Sequence, residues 1–258
     1  MDTVLKIATY NIAHGLNFST YDGSFPAGQL PVTLDETAKV IRSLNADIVG
    51  LNEVYHSGGG ALDMQTDTLA RLSEKPYQMF AEAIVFPNNP PRSYGNAFLS
   101  NKRILSRKVV KVPSPVGDER RPEENGYYED RAILQAQIQA DFGIVTVLVT
   151  HFGLNGLEQE RMINALVQII DNAKTPLILM GDFNVCPDSP ILKPLYDRLQ
   201  SAAKVMGNTE YTFSSYKPYQ TIDYFFVSHD FVITDYQVIK NRTSDHMPCT
   251  ATIEWKGR

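Results

Sequence analysis

The chain has 258 residues, 43% of them hydrophobic, and a formal net charge of −5. That is ample for a packed core, and it argues against a sequence-independent nucleic-acid binder, which carries a basic face. No apolar run approaches membrane-spanning length, and the N-terminus lacks the basic region and apolar core of a signal peptide. A cytoplasmic protein is expected, with secretion after removal of a leader left open. Cys186 and Cys249 have no CxxC partner and read as free thiols.

Val4 to Tyr10 reads as a strand, with Asn11 just past its end. His14-Gly15 opens a loop rich in Gly, Pro, Ser and Asn that runs to Pro31, long enough to be suspected of function. Thr33 and Glu36 have capping-box spacing, and Leu34, Thr37, Ala38, Ile41 and Leu44 line one face of the helix that follows. Ile48 to Leu51 is a second buried strand ending in Asn52-Glu53, so an apolar run delivers a carboxylate. After the connector Gly58-Gly59-Gly60, a weaker helix is expected over about Ala61 to Leu72 and a strand over Gln78 to Val85. A loop from Pro87 to Ser93 precedes strands over Tyr94 to Ser100 and Ile104 to Val112. Pro113 to Asp130 is a charged surface excursion whose Arg120-Arg121 pair reads as solvated.

Arg131 to Gln139 alternates apolar and polar residues, Asp141-Phe142-Gly143 turns the chain, and Ile144 to Val149 returns to end at Thr150-His151. A helix is expected over about Leu157 to Asn172. Leu177 to Met180 then reads as a short strand buried on both faces, and Gly181 lets the backbone approach closely. Asp182 and Asn184 point the same way if strand geometry persists to Asn184. A carboxylate and an amide side by side suit a hydrolytic site, one holding or deprotonating a water and the other holding a phosphoryl oxygen. Ser189-Pro190 starts a short helix, and strands are expected at Tyr211 to Phe213, Ile222 to Val227, Val232 to Ile239 and Cys249 to Trp255.

Asp223 beside an apolar strand is uncomfortable unless paired, and His246 is its natural partner. Such a carboxylate gives the imidazole basicity and a fixed tautomer. Asp245 is then left to join Glu53 around a cation. Asn11, Glu53, His151, Asp182 with Asn184, Asp223, and Asp245 with His246 thus stand at six strand ends, a pattern that suggests one shared cleft. There is no GxSxG elbow, no HExxH helix and no P-loop. Oxygen donors dominate without a thiolate cluster, which points to Mg²⁺, or Mn²⁺, rather than structural zinc.

Thr9-Tyr10-Asn11, Leu51-Asn52-Glu53-Val54, Tyr94-Gly95-Asn96, Thr150-His151, Gly181-Asp182-Phe183-Asn184, Ile222-Asp223-Tyr224 and Ser244-Asp245-His246 occur in this order. Together they resemble the endonuclease/exonuclease/phosphatase superfamily, with its deoxyribonuclease-, sphingomyelinase- and deadenylase-like branches. The resemblance implies a single α/β (α+β) domain over residues 1–258, a four-layer αββα sandwich of two mixed sheets flanked by helices. It also implies Mg²⁺-dependent hydrolysis of a phosphodiester by metal-assisted in-line attack of water. By position, Glu53 looks like the principal metal ligand, completed or supported by Asn11 and Asp245. Asp182 orients or deprotonates the water and Asn184 holds a phosphoryl oxygen. His246, backed by Asp223, is the other acid/base or phosphate-stabilising group. His151 donates to the phosphate or leaving group, and Asn96 joins the substrate-binding set. Asn52 stands where relatives often carry glutamine, and Thr150-His151 is unlike the tyrosine-containing segment of apurinic endonucleases. The substrate expected is a small or lipid-like phosphoester. DNA or RNA is the alternative, against the acidic composition. A binding scaffold that merely kept the fold is disfavoured because every catalytic-type position is filled.

Overall fold

In the computed structural model, which describes residues 2–57, 64–87, 91–124 and 126–257, the apolar runs form two six-stranded mixed sheets. The elements in chain order are β1 (Val4–Asn11), α1 (Leu34–Ser43), β2 (Ile48–Ser57), α2 (Gln65–Leu72), β3 (Tyr77–Phe86), β4 (Arg92–Ser100) and β5 (Ile104–Val112). They continue with β6 (Arg131–Ala140), β7 (Gly143–His151), α3 (Gly156–Asp171), β8 (Leu177–Asp182), α4 (Lys193–Tyr196), β9 (Gln200–Ser201) and α5 (Ala202–Val205). The last three are β10 (Asp223–Val227), β11 (Phe231–Val238) and β12 (Cys249–Trp255). One sheet has the order β11-β12-β1-β2-β4-β3 and the other β5-β6-β7-β8-β10-β9.

The inner faces of the sheets share a core in which Leu5, Ile7, Ile48 and Phe98 meet Leu134, Val147, Ile178 and Met180. On the outer face of the first sheet, Tyr10, Val49 and Leu51 pack under Ile41 of α1 and Leu69 of α2. On that of the second, Leu148, Leu179 and Phe226 pack under Met162 and Leu166 of α3. These are the four layers expected. Each of these buried aliphatic and aromatic side chains contributes roughly 1.5–3 kcal/mol.

Strand direction explains why the polar ends converge. β1 and β2 run parallel with Asn11 opposite Asn52, and β7 and β8 run parallel with His151 opposite Asp182. Antiparallel β10 places its first residue, Asp223, opposite Asp182. Antiparallel β12 begins at Cys249, opposite Thr9 of β1, so the 244–246 segment before it lies at the Asn11 end. There Ser244 Oγ donates to Asn11 O at 2.8 Å.

Several local expectations are corrected. Thr33 starts α1, but its side chain makes no cap; Thr33 Oγ1 accepts from Asn17 Nδ2 at 3.0 Å, and Glu36 is turned to Lys39. The second strand does not end at Glu53 but runs to Ser57 through a bulge, where Asn52 and Glu53 of β2 face the single Asn96 of β4. The weaker helix starts at Gln65, with 61–63 outside the described residues, as is the 58–60 connector. The 87–93 loop is shorter than expected because β4 begins at Arg92; 88–90 lie outside the described residues. Tyr211 to Phe213 is no strand: Phe213 makes only isolated bridges, to Gln220 and His246. The short β9 and α5 were unforeseen. Both cysteines are free, Cys186 exposed and Cys249 buried.

Gly181 is the residue that lets β7 and β8 close up at the site. Its φ is +143°, and a Cβ there would stand 1.9 Å from Thr150 O. Gly181→Ala is expected to destabilise the protein by about 3 kcal/mol, a fall of about 6–12 °C in Tm by calorimetry. An unchanged Tm would remove the close approach as the reason for the glycine.

Candidate active site

The two sheets are cross-linked at their convergent ends by a buried amide. Asn52 Nδ2 donates to Asn96 Oδ1 and to Thr150 O, both at 2.8 Å, and Asn52 Oδ1 accepts from the Asp182 backbone N–H at 3.0 Å. Asn96 Nδ2 in turn donates to Ala132 O at 2.8 Å. Each end of the Asn96 amide thus makes a hydrogen bond within the protein, in the floor of the site. Next to Asn52, Glu53 adopts φ 58° in the bulge. This conformation is rare for a residue with a side chain, and a bulge re-aims the group it carries.

Above this floor lies a cleft of about 320 Å³ lined by Glu53, Arg131, His151, Asp182, Asn184, Asp245 and His246, among others. Asn11 Nδ2 donates to Glu53 Oε1 at 3.2 Å and to Asp182 Oδ2 at 3.1 Å, tying the two carboxylates together. Asp182 Oδ2 also faces two imidazoles, His151 Nε2 at 3.5 Å and His246 Nε2 at 3.6 Å. His246 Nδ1 and Asp223 Oδ2 are 2.9 Å apart, both buried. Asn184 leaves strand geometry with φ 50°, so simple alternation does not aim it. Its backbone N–H donates to Asp182 Oδ1 at 2.9 Å, and its amide nitrogen donates to Phe152 O at 3.0 Å and lies 3.3 Å from His151 Nε2.

Electrostatics divides these groups. Burial, then the charge of Asp245, raises the Glu53 carboxyl to about 7. Burial raises Asp182 to about 6, with His246 acting against it. Burial also opposes charge on His246, but Asp223 and Asp182 outweigh it and hold the imidazole well above its ordinary range. His151 is pushed well below that range by burial and by Arg131.

Two residues at the site have no role assigned from the sequence. His14 Nε2 lies 3.2 Å from Glu53 Oε2 and its ring stacks on Tyr55 at 4.6 Å; burial lowers it to about 4. Arg131, at the start of β6, lies 3.4 Å from His151 Nδ1 and donates to Glu129 Oε2 at 2.8 Å. No local spacing marks a histidine opening a Gly-rich loop or an arginine opening a strand, so only tertiary contacts reveal them. The Arg120-Arg121 pair stays outside the cleft. Arg121 forks onto Glu160 at 3.0 and 2.6 Å, and Arg120 lies over Tyr128.

The donor set fits a hard divalent cation. Glu53 and Asp245 crowd like charges that such an ion would neutralise, and the donors are all oxygen. Asp182, Asp223 and His246 also bring ligand atoms within 4.8 Å of one another. His246 Nδ1 is taken by Asp223, however, which makes that trio a hydrogen-bonded ion-pair relay.

Two mixed sheets whose ends meet in an acidic, histidine-flanked cleft define a phosphoesterase sandwich. The chain belongs to the endonuclease/exonuclease/phosphatase family, whose model matches residues 8–246; its members are hydrolytic phosphoesterases that generally use a divalent metal. No curated protein matches the sequence. Among solved structures, an endonuclease/exonuclease/phosphatase from Beutenbergia cavernae is similar with a TM-score of 0.76 at 23% identity, covering 98% of this chain and 72% of that one. The human nocturnin catalytic domain, with a bound sulfate anion, gives 0.66 at 19% identity, covering 99% and 96%. A mannosyl-6-phosphatase from Bacteroides thetaiotaomicron gives 0.67 at 16% identity, covering 97% and 100%. At these identities the likeness is one of fold. Among the described residues, no helix is long and apolar enough to cross a membrane.

Proposed function

We propose that this chain is a Mg²⁺-dependent phosphodiesterase, with Mn²⁺ able to substitute, acting on a small or lipid-like phosphoester by in-line attack of water. The observation that carries the reading is Asp182, held between two imidazoles of opposite electrostatic character and tied by Asn11 to Glu53. Glu53 and Asp245 would hold the cation, with Asn11 supporting Glu53. When bound, the ion supplies charge neutralisation for the phosphoryl oxygens. Asp182, raised to about 6, stays largely ionised at neutral pH yet basic enough to accept the proton of the attacking water. His246, cationic through Asp223, faces the charge that grows on the phosphoryl group and is the acid. Asn184 and His151 hold the remaining oxygens.

The lining supports a small substrate. Arg131 is the cleft's lysine or arginine among the residues that form it, and Glu129 already neutralises it. Among the described residues, a polyanionic strand finds no basic rail there. A neighbouring cavity of about 600 Å³, lined in part by Tyr196 and Tyr211, shares Tyr219 and Gln220 with the cleft and offers room for the organic part of a small substrate.

The test is a panel of chromogenic phosphodiester, sphingomyelin, inositol phosphates, a sugar 6-phosphate, plasmid and oligoadenylate with Mg²⁺, Mn²⁺ or EDTA. Metal-dependent turnover of a small phosphodiester is expected, and His151→Ala should lower kcat by about 10²-fold. Turnover that survives EDTA would overturn the mechanism. Strongly salt-sensitive cleavage of the polynucleotides alone would replace the substrate assignment with a nuclease.

A further inference from the structure

We propose that Arg131 is a positioning residue that locks His151 in its neutral form with the proton on Nε2, making His151 a fixed hydrogen-bond donor to the phosphoester and not a base. A guanidinium has five N–H donors and no acceptor. With Arg131 Nη1 3.4 Å from His151 Nδ1, that ring nitrogen must present its lone pair, so the proton sits on Nε2. Nε2 faces the reacting side, 3.5 Å from Asp182 Oδ2. The Asn184 amide nitrogen lies 3.3 Å from Nε2, but it is uncharged and gives one of its two N–H groups to Phe152 O at 3.0 Å. It therefore opposes a proton on Nε2 less than the guanidinium opposes one on Nδ1, and Asp182 Oδ2 stands on the Nε2 side as an acceptor. Arg131 cannot swing away easily: its side chain is 7% exposed and Glu129 Oε2 holds its other arm at 2.8 Å. Protonating the ring would set Nδ1–H against the guanidinium, and His246 adds further positive charge.

The two histidines flanking Asp182 thus differ in what stands behind them. Asp223 backs His246 and makes it a cation; Arg131 backs His151 and keeps it neutral. A site that needs one acid and one uncharged donor obtains both from the same side chain by reversing the partner's charge.

The catalytic consequence rests on the phosphodiesterase reading; the tautomer does not, and the experiment separates them. Long-range ¹⁵N histidine spectra of the full-length protein near neutral pH, with His151→Ala for assignment, are expected to show His151 bare at Nδ1 and protonated at Nε2. Arg131→Lys should keep that pattern, because an ammonium also only donates, whereas Arg131→Met should let the ring take up a proton more readily. Turnover should fall about 10-fold in Arg131→Met with little change in KM. It should fall no further when Arg131→Met is added to His151→Ala, since the two act as one unit. A parent spectrum with Nδ1 protonated, or losses that multiply in the double variant, would overturn the proposal. If Arg131→Met does not fold, the parent and Arg131→Lys spectra still decide. A protein with the expected spectrum that hydrolyses no phosphoester would sink the function and leave the tautomer assignment standing.

Discussion

Glu53→Gln is expected to lower kcat by roughly 10³-fold and, in the same protein, to raise the Tm of the metal-free chain at alkaline pH. The two effects have one cause. Glu53 sits beside Asp245 in a cleft that disfavours its charge, so its carboxyl rises from 4.5 to about 7. A carboxyl whose folded value lies above its unfolded one loses stability as pH rises. The penalty is absent below pH 4.5, grows between 4.5 and about 7, and is complete above that. Removing the charge should therefore stabilise the folded state above pH 7 by on the order of 2 kcal/mol, allowing for partial exposure, or about 4–8 °C. The amide fits where the carboxylate was. Its oxygen can accept from Asn11 Nδ2, and its nitrogen can donate to His14 Nε2, because His14 Nδ1 has no partner among the described residues and is free to take the proton. Mg²⁺ should raise the Tm of the parent protein more at pH 8 than at pH 5, since the ligand must be ionised, and should leave the variant unmoved. Thermal melts in EDTA and in Mg²⁺ at both pH values decide the matter. A variant less stable than its parent at pH 8, or one that still responds to Mg²⁺, contradicts this account of Glu53.

Most of the sheet architecture could be read from periodicity. Leu177 to Met180 is apolar at every position because β8 is covered on both faces, and β6 alternates where its pattern does. The errors cluster where a single-chain pattern has no access to the partner. Tyr211 to Phe213 looks like a strand because aromatic residues favour one, yet Phe213 packs its ring on His246 at 4.7 Å and bridges single residues. Thr33 and Glu36 have the spacing of a capping box, but Asn17 and Lys39 compete for the same atoms.

The candidate site was legible as a list of polar residues at strand ends, and less so as geometry. Strand-end reasoning brings Asp182, His151, Asp223 and His246 together because sheet direction alone carries them there. It does not anticipate that Glu53 and Asn184 reach the cleft through positive φ, at 58° and 50°. Both are conformations an L-residue seldom adopts unless surrounding structure enforces them, and such strain gathers at functional positions. Arg131 and His14 were invisible for another reason. Each acts on a neighbour remote in sequence, His151 and Glu53 respectively, so no local spacing marks it.

Asn52 should be the residue whose loss is felt most widely. It is fully buried, and its three hydrogen bonds reach Asn96, Thr150 and the backbone of Asp182, so one amide joins β4, β7 and β8 to β2. Asn52→Leu fills a similar volume but leaves an N–H and two carbonyl oxygens without that partner. At about 1–3 kcal/mol for each orphaned group, the expected destabilisation is about 4 kcal/mol, or about 8–16 °C in Tm. Turnover should fall with it, because the Asp182 backbone loses its anchor while Gly181 beside it offers no side-chain packing. Asn52→Asp is the sharper probe. It keeps an acceptor for the Asp182 N–H but turns a donor into a carboxylate oxygen facing Asn96 Oδ1 and Thr150 O, both acceptors. It also buries a charge beside Glu53. If the donor role is what matters, Asn52→Asp will be at least as unstable as Asn52→Leu at pH 8 and will recover part of the difference at low pH, where the carboxyl can protonate and donate again. A milder Asn52→Asp at pH 8 would mean that accepting from the Asp182 backbone N–H, and not donating to Asn96 and Thr150, is what Asn52 is there to do.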